Sequence, residues 1–541
     1  MALPLGWALL SAAVAVFDPT PWVSLFHHSH FIQGLMLSLW TGLAATALSV
    51  VITAFVLSVG FPGAHWQRTV NSLGPLLAVP HVAFAIGLAA LLAPSGWLVR
   101  LISPGLTGLT VPPQWITTQD PFGIGLITVL VLKEVPFLLW SAAAQLQRAD
   151  VQQRLGQELT VCKSMGYTHS KAWWCVVWPQ IWPRLGWPVL AVLAYSLTVV
   201  DVAIIIGPNS PSTLAVSAWE WLQDPQAEAN AVGAAAAWFL AGLLAISTLI
   251  GIAADRIGFW RVRWTQGFRG KQRLKSQLSQ TAGPARRFLA RFKFDNKAAL
   301  ALPSFYAIVL AILAIGSVSG VWAFPSLWPQ TLTWGAWQSV GESFSTVAFT
   351  LGLGAASSLT ALLWALAWFE LAPPRWNASL HRFVYLPLVL PSVLWVVGLH
   401  SLAVGWRVDG HWTGLWVAHS LAVLPYTMIA LNPAFLGFDV RYRHITASLG
   451  QSHLRFLWRI KWPLLRASLA SAAAVGFAVS VAQYLPTLYI GAGRYSTVTT
   501  EAVNLAAGAQ RSLTSAYALL QWMLPVIGFA IAAWLGKPRR F

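Results

Sequence analysis

One pattern occurs twice in this chain, 284 residues apart, and it limits the possible folds more than any other feature. The first copy reads Ser164, Gly166, Trp174, Trp178, Pro179; the second reads Ser448, Gly450, Trp458, Trp462, Pro463. Matching a Gly, two Trp and a Pro at one offset has a chance on the order of 1 in 100,000, so the pattern marks an internal duplication. Gly207 with Gly491 and Thr213 with Thr497 keep the same offset, while Pro80 with Pro391 and Gly87 with Gly398 stand 311 apart. An outer loop near 95–120, cut to about 404–410 in the second copy, accounts for most of the difference. The fold therefore has to be built from two similar halves.

The solvent follows from composition. With 57% hydrophobic and 9% charged residues, the chain lacks the polar residues to cover a water-soluble surface. Twelve candidate spans lie at roughly 5–17, 33–60, 71–94, 121–143, 186–207, 228–254, 301–323, 342–370, 383–403, 411–435, 466–491 and 514–535, most of them long enough for the ~20 residues of a spanning helix. The first is short and reads equally as an interfacial helix or part of a signal-like segment, its lack of an obvious cleavage site favouring retention. The expected fold is an all-α polytopic membrane protein of about twelve transmembrane helices in two tandem parallel repeats. Residues 1–254 and 299–541 are the expected halves, and 255–298 is the linker, with twelve Lys and Arg. Six spans per half give both halves one orientation, related by an axis along the membrane normal.

The net charge of +18 does not require a nucleic acid. With the repeated segments facing the cytoplasm, 29 of the 34 Lys and Arg fall on that side, leaving Arg100, Arg407, Arg494 and Arg511 opposite and Lys133 inside a span. This positive-inside asymmetry predicts both termini in the cytoplasm. The two cysteines, Cys162 and Cys175, share the first repeated loop, on a side where thiols stay reduced, and imply no disulfide.

Each repeated loop reads as a helix, a Gly turn, a second short helix and a Pro stop. Trp174 and Trp178, like Trp458 and Trp462, are four apart and so are expected on one helix face. A short rigid helix of this kind, projecting from a membrane, can act as a lever on a partner.

A Gly followed thirteen residues later by Pro, between a helix and a membrane span, resembles the cytoplasmic EAA loop of binding-protein-dependent ABC importer permeases. Two halves in one chain is similar to the fused permeases of the thiamine and ferric-iron type. The resemblance implies the type I ABC importer transmembrane-domain fold, with a coupling helix in each half docking on one of two copies of an ATPase subunit. It also implies a periplasmic-type substrate-binding protein, a bacterial inner-membrane location, and ATP and Mg held by the partner ATPase. The coupling residues it implies are Thr160, Ser164, Gly166, Trp174, Trp178 and Pro179, then His444, Ser448, Gly450, Trp458, Trp462 and Pro463. Where the family pattern starts with an acidic residue and two alanines, this chain has Thr160-Val161-Cys162 and His444-Ile445-Thr446, with Glu158 two residues early.

The chain carries no G-x-x-x-x-G-K-[ST] phosphate loop, so ATP hydrolysis is expected on a separate subunit. No H-E-x-x-H, paired-Cys or G-x-S-x-G signature occurs; neither a catalytic group nor a resident metal or cofactor is expected. Ionisable groups at membrane depth are functional candidates by default: Lys133, Glu134 and Asp201, with Gln483 and Tyr484 in the second half. An interhelical salt bridge or snorkelling is the plainer reading of Lys133 and Glu134. The cluster His27-His28-Ser29-His30 reads as a hydrated loop rather than a metal site. An ion-gradient-driven secondary transporter is the competing class, and it predicts midplane carboxylates on broken helices.

Overall fold

A computed structural model describes residues 6–7, 10, 17–61, 66–256, 296–373, 388–508 and 510–537. Most of the expected 5–17 span, nearly all of the 255–298 linker and the start of the 383–403 span lie outside the described residues. Apart from two isolated β-bridges, regular structure among the described residues is helical, because in lipid a helix satisfies its own backbone. Nine helices there are long and apolar enough to cross a membrane: Phe31–Gly60, His81–Ile102, Ile124–Leu146, Ala227–Ala254, Leu300–Ser317, Phe344–Leu371, Trp412–Leu436, His453–Val481 and Arg511–Gly536. Gly186–Thr198 and Ser392–Gly405 are shorter apolar helices.

Three expected spans are interrupted. The 71–94 span divides into Trp66–Leu77 and His81–Leu92, because Pro80 lacks an N–H and disfavours helical backbone at Val79. The 186–207 span breaks into Gly186–Thr198 and Asp201–Ile206, and the 466–491 span into Trp462–Val481 and Leu485–Ile490. Pro486 sits in the first turn of the latter piece, where its missing N–H costs nothing. The two breaks, 199–200 and 482–484, fall at the same place in the repeat.

The order of elements runs twice, and matched contacts hold matched elements. The N–H of Leu214, at the start of helix Leu214–Gln223, donates to Ser38 Oγ at 2.8 Å. The N–H of Val498, opening Val498–Ala506, donates to Thr350 Oγ1 at 3.0 Å. Gly42 lies against Leu197 and Gly354 against Phe477, where a Cβ would approach to 2.5 and 2.8 Å. Across the repeats, helix His81–Leu92 packs on Val498–Ala506 and Arg511–Gly536, and its counterpart Ser392–Gly405 packs on Leu214–Gln223 and Ala227–Arg256. Residues of both copies join one buried core.

Candidate functional site

The two repeated loops share one backbone pattern. In the first, helix Ala149–Ser164 ends in a turn where Gly166 N–H donates to Lys163 O at 3.0 Å and Tyr167 N–H to Cys162 O at 3.0 Å. In the second, Arg441–Ser448 ends with Gly450 N–H to Ala447 O at 3.0 Å and Gln451 N–H to Thr446 O at 3.2 Å. Both glycines are left-handed, φ +80° and +69°, the conformation that a Cβ disfavours. Ser164 and Ser448 each donate to the carbonyl three residues back at 2.8 Å. Thr160 Oγ1 donates to Gly156 O at 2.8 Å. His444 is exposed on the equivalent turn.

Each loop then re-enters through a short helix and a five-residue π-helical turn, Trp173–Val177 and Leu457–Lys461. Pro179 and Pro463 sit in the first turn of the next helix. The tryptophan pairs touch, with ring centroids 5.8 Å apart for Trp174 and Trp178 and 4.5 Å for Trp458 and Trp462. They do not form a uniformly presented stripe: Trp178 is buried and stacked on Trp173, while Trp458 is exposed. What both loops do present at matching positions is aliphatic, Val161 with Ile445 and Met165 with Leu449, all more than half exposed.

The anchors beneath the loops differ. Gln180 Nε2 donates to Glu158 Oε2 at 2.7 Å, so Glu158 braces the first loop internally. In the second, Lys461 Nζ donates to Glu370 Oε2 at 2.8 Å and Trp462 Nε1 to Oε1 at 3.3 Å, a pair that is largely buried. Neither Glu370 nor Lys461 stood out in the sequence, because each lies near a span end where charge is ordinary.

The intramembrane candidates separate into two jobs. Lys133 Nζ donates to Val79 O at 2.6 Å, a carbonyl at the break before Pro80, and to Leu76 O at 3.4 Å, which also accepts from Val79 N–H at 3.4 Å. Lys133 is thus a strut. Glu134, one position on and so about 100° around the helix, pairs instead with His81, Oε1 to Nε2 at 3.3 Å. The His81 ring lies 4.8 Å from that of Tyr195. Asp201 is the first residue of the helix after the break, its Oδ1 accepting from Val202 N–H at 2.9 Å. It interacts electrostatically with His81, Tyr195 and Tyr484. The structure therefore gathers Glu134, Asp201 and Tyr484 at the two breaks, while Gln483 Nε2 turns back to Val479 O at 3.2 Å. His81, Tyr195 and Tyr426 join the group; the one signal for them in sequence was His81 directly following Pro80.

His27 pairs with Val23 O at 2.8 Å, His30 with Gln33, and the His28 ring packs on Trp221. Among the described residues, no group of three or more metal-ligating side chains converges.

No family model matches the chain. Over 545 residues it is 34% identical to the inner membrane ABC transporter permease protein YnjC of Escherichia coli K12, covering 99% of this chain and 95% of that protein. It is 26% identical over 207 residues to the molybdenum transport system permease protein ModB of Mycobacterium tuberculosis, covering 36% of this chain and 76% of the relative. It is 25% identical over 249 residues to the putative 2-aminoethylphosphonate transport system permease protein PhnV of Salmonella choleraesuis, covering 43% and 91%. With its apolar helices and near full-length likeness to an inner-membrane permease, this chain belongs to the ABC transporter permease family and is a multi-pass permease subunit of an ABC importer.

Proposed function

We propose that residues 1–254 and 299–541 are two permease halves in one chain, tied by the 255–298 linker, that enclose a single translocation pathway. One copy of an ABC ATPase docks beneath each repeated loop, and a periplasmic-type binding protein delivers solute to the opposite face. Both termini lie in the cytoplasm. ATP and Mg are bound by the ATPase; this chain catalyses no bond chemistry and holds no cofactor, and it binds no nucleic acid. The coupling surface comprises the two loops around Gly166 and Gly450. The pathway runs past Glu134, Asp201, Gln483 and Tyr484, with Lys133 bracing its wall.

The observation that carries this reading is the identity of the two loop turns: the same hydrogen-bond register, the same left-handed glycine and the same exposed aliphatic positions. Exposed apolar side chains on a projecting, rigid turn are ready to be buried by a partner. Two such turns support two docking sites. ModB and PhnV, each matched by less than half of this chain, support a half as the permease unit.

The test is to purify the chain from its native membrane and identify bound subunits by mass spectrometry. Wild type is expected to retain an ATPase in two copies, and Gly166→Arg/Gly450→Arg to lose it while keeping its thermal unfolding midpoint within a few degrees. Solute transport by wild-type protein with no ATPase bound would refute the reading.

A further inference from the structure

The group at the helix breaks has an unbalanced charge. Its carboxylates are Glu134 and Asp201, and its fixed cation is Lys133, whose Nζ is already engaged by two carbonyls. Among the described residues, His81 is a further basic group against them, within 3.3 Å of Glu134 and in electrostatic reach of Asp201. Three tyrosines surround the carboxylates from both halves. Tyr195 interacts with both acids, Tyr426 with Glu134 and Tyr484 with Asp201.

Two further observations concern the surroundings of the acids. Tyr484 is 6% exposed and lies in electrostatic reach of Asp201, and its ring packs near that of Trp219. Tyr426 and the His81 side chain keep 40% and 37% of their surface open, although His81 pairs with Glu134 and Tyr426 lies in its electrostatic reach. The group is thus only partly covered by the protein. The second repeat has no counterpart acids: at the 284 offset Asp201 is replaced by Leu485, and at the 311 offset His81 is replaced by Ser392. Framework residues repeat in both halves, and this set does not.

A carboxylate at membrane depth is costly unless a positive charge meets it, and aromatic faces attract organic cations. We propose that the solute carried by this permease is an organic ammonium, held between Asp201 and Glu134 with the rings of Tyr195, Tyr426 and Tyr484 around it. The inference rests on the permease reading above and adds the chemical class of its cargo. Of the solutes that the relatives' names specify, 2-aminoethylphosphonate carries an ammonium group and molybdenum does not.

The experiment places a reporter thiol at the second break, Gln483→Cys, in a Cys162→Ser/Cys175→Ser background of the full chain in proteoliposomes. Rates of modification by a trimethylammonium methanethiosulfonate and by its sulfonate analogue are compared, each normalised to free cysteine. The cationic reagent is expected to be favoured on the order of tenfold, with the preference largely lost in Asp201→Asn and in Glu134→Gln. Millimolar choline is expected to slow modification, and sulfate to leave it unchanged. A normalised ratio of one or less, no reaction with either reagent, or a ratio unmoved by Asp201→Asn would overturn the proposal. ATPase co-purification is measured on the same samples. Its retention alongside a failed charge preference rejects the cargo class alone, whereas its loss in wild type rejects the permease reading beneath it.

Discussion

The hydroxyl of Tyr306 donates to the carbonyl of Leu132 at 2.8 Å, the acceptor that Pro136 leaves empty. In a regular helix that carbonyl is bonded by the N–H four residues on, and proline has none. The replacement donor comes from helix Asn296–Ser317, beyond the linker, so a proline in the first repeat is satisfied by a tyrosine entering from the second.

Tyr306→Phe should destabilise the purified protein by about 1–2 kcal/mol, since a buried carbonyl is left unpaired. Adding Pro136→Ala should recover most of the loss, because residue 136 then supplies the missing N–H. Chemical or thermal unfolding of the two single variants and the double variant measures the coupling. Additive losses would mean that the two residues do not share this carbonyl.

Lys133→Met removes the donor to Val79 and Leu76. The expected cost is about 1–3 kcal/mol from the freed carbonyls, read as a lower unfolding midpoint. Hydrogen exchange should rise at residues 76–81 and not at the 199–200 break. A midpoint equal to wild type would show that the break does not depend on the lysine.

The Glu370–Lys461 pair sits 9% and 13% exposed by side chain and anchors only the second loop. Glu370→Gln should cost about 3 kcal/mol by leaving the ammonium uncompensated, and Glu370→Gln/Lys461→Met should recover part of it. Limited proteolysis of the 441–461 segment is the readout for loop anchoring. The first loop, braced by Glu158 and Gln180, should be unaffected in the same samples.

A Cβ added at Gly166 or Gly450 would meet no heavy atom within 4 Å, so substitution there is opposed by backbone conformation and not by crowding. Alanine at either position should cost about 1–2 kcal/mol. Asparagine, which tolerates the left-handed region, should cost less. Equal unfolding midpoints for Ala and Asn would indicate that the turn is not held left-handed in solution.

Much of the fold was legible because its rules are one-dimensional. Runs of apolar residues have to become helices in lipid, whatever packs around them. The repeat at 164–179 and 448–463 located both loops, and Gly166 and Gly450 announced their left-handed turns. The apolar runs did not reveal where a helix stops at membrane depth. At 71–94, Pro80 was present, but hydropathy averaged across it. At 199–200 the break falls on two valines, and at 482–484 Gln483 is present and Pro486 follows, but the surrounding apolar run hides both in an average.

Chain order alone carries the membrane-embedded helical character, the duplication and the two loops, since composition, spacing and charge asymmetry need no packing to be read. Tertiary structure decided what each buried polar group does. Lys133 and Glu134 are neighbours in sequence, yet one caps the broken helix and the other meets His81, because adjacent helical positions face different partners. Asp201 and Tyr484 lie 283 residues apart and come into electrostatic reach only because the two broken helices meet where the repeats pack together.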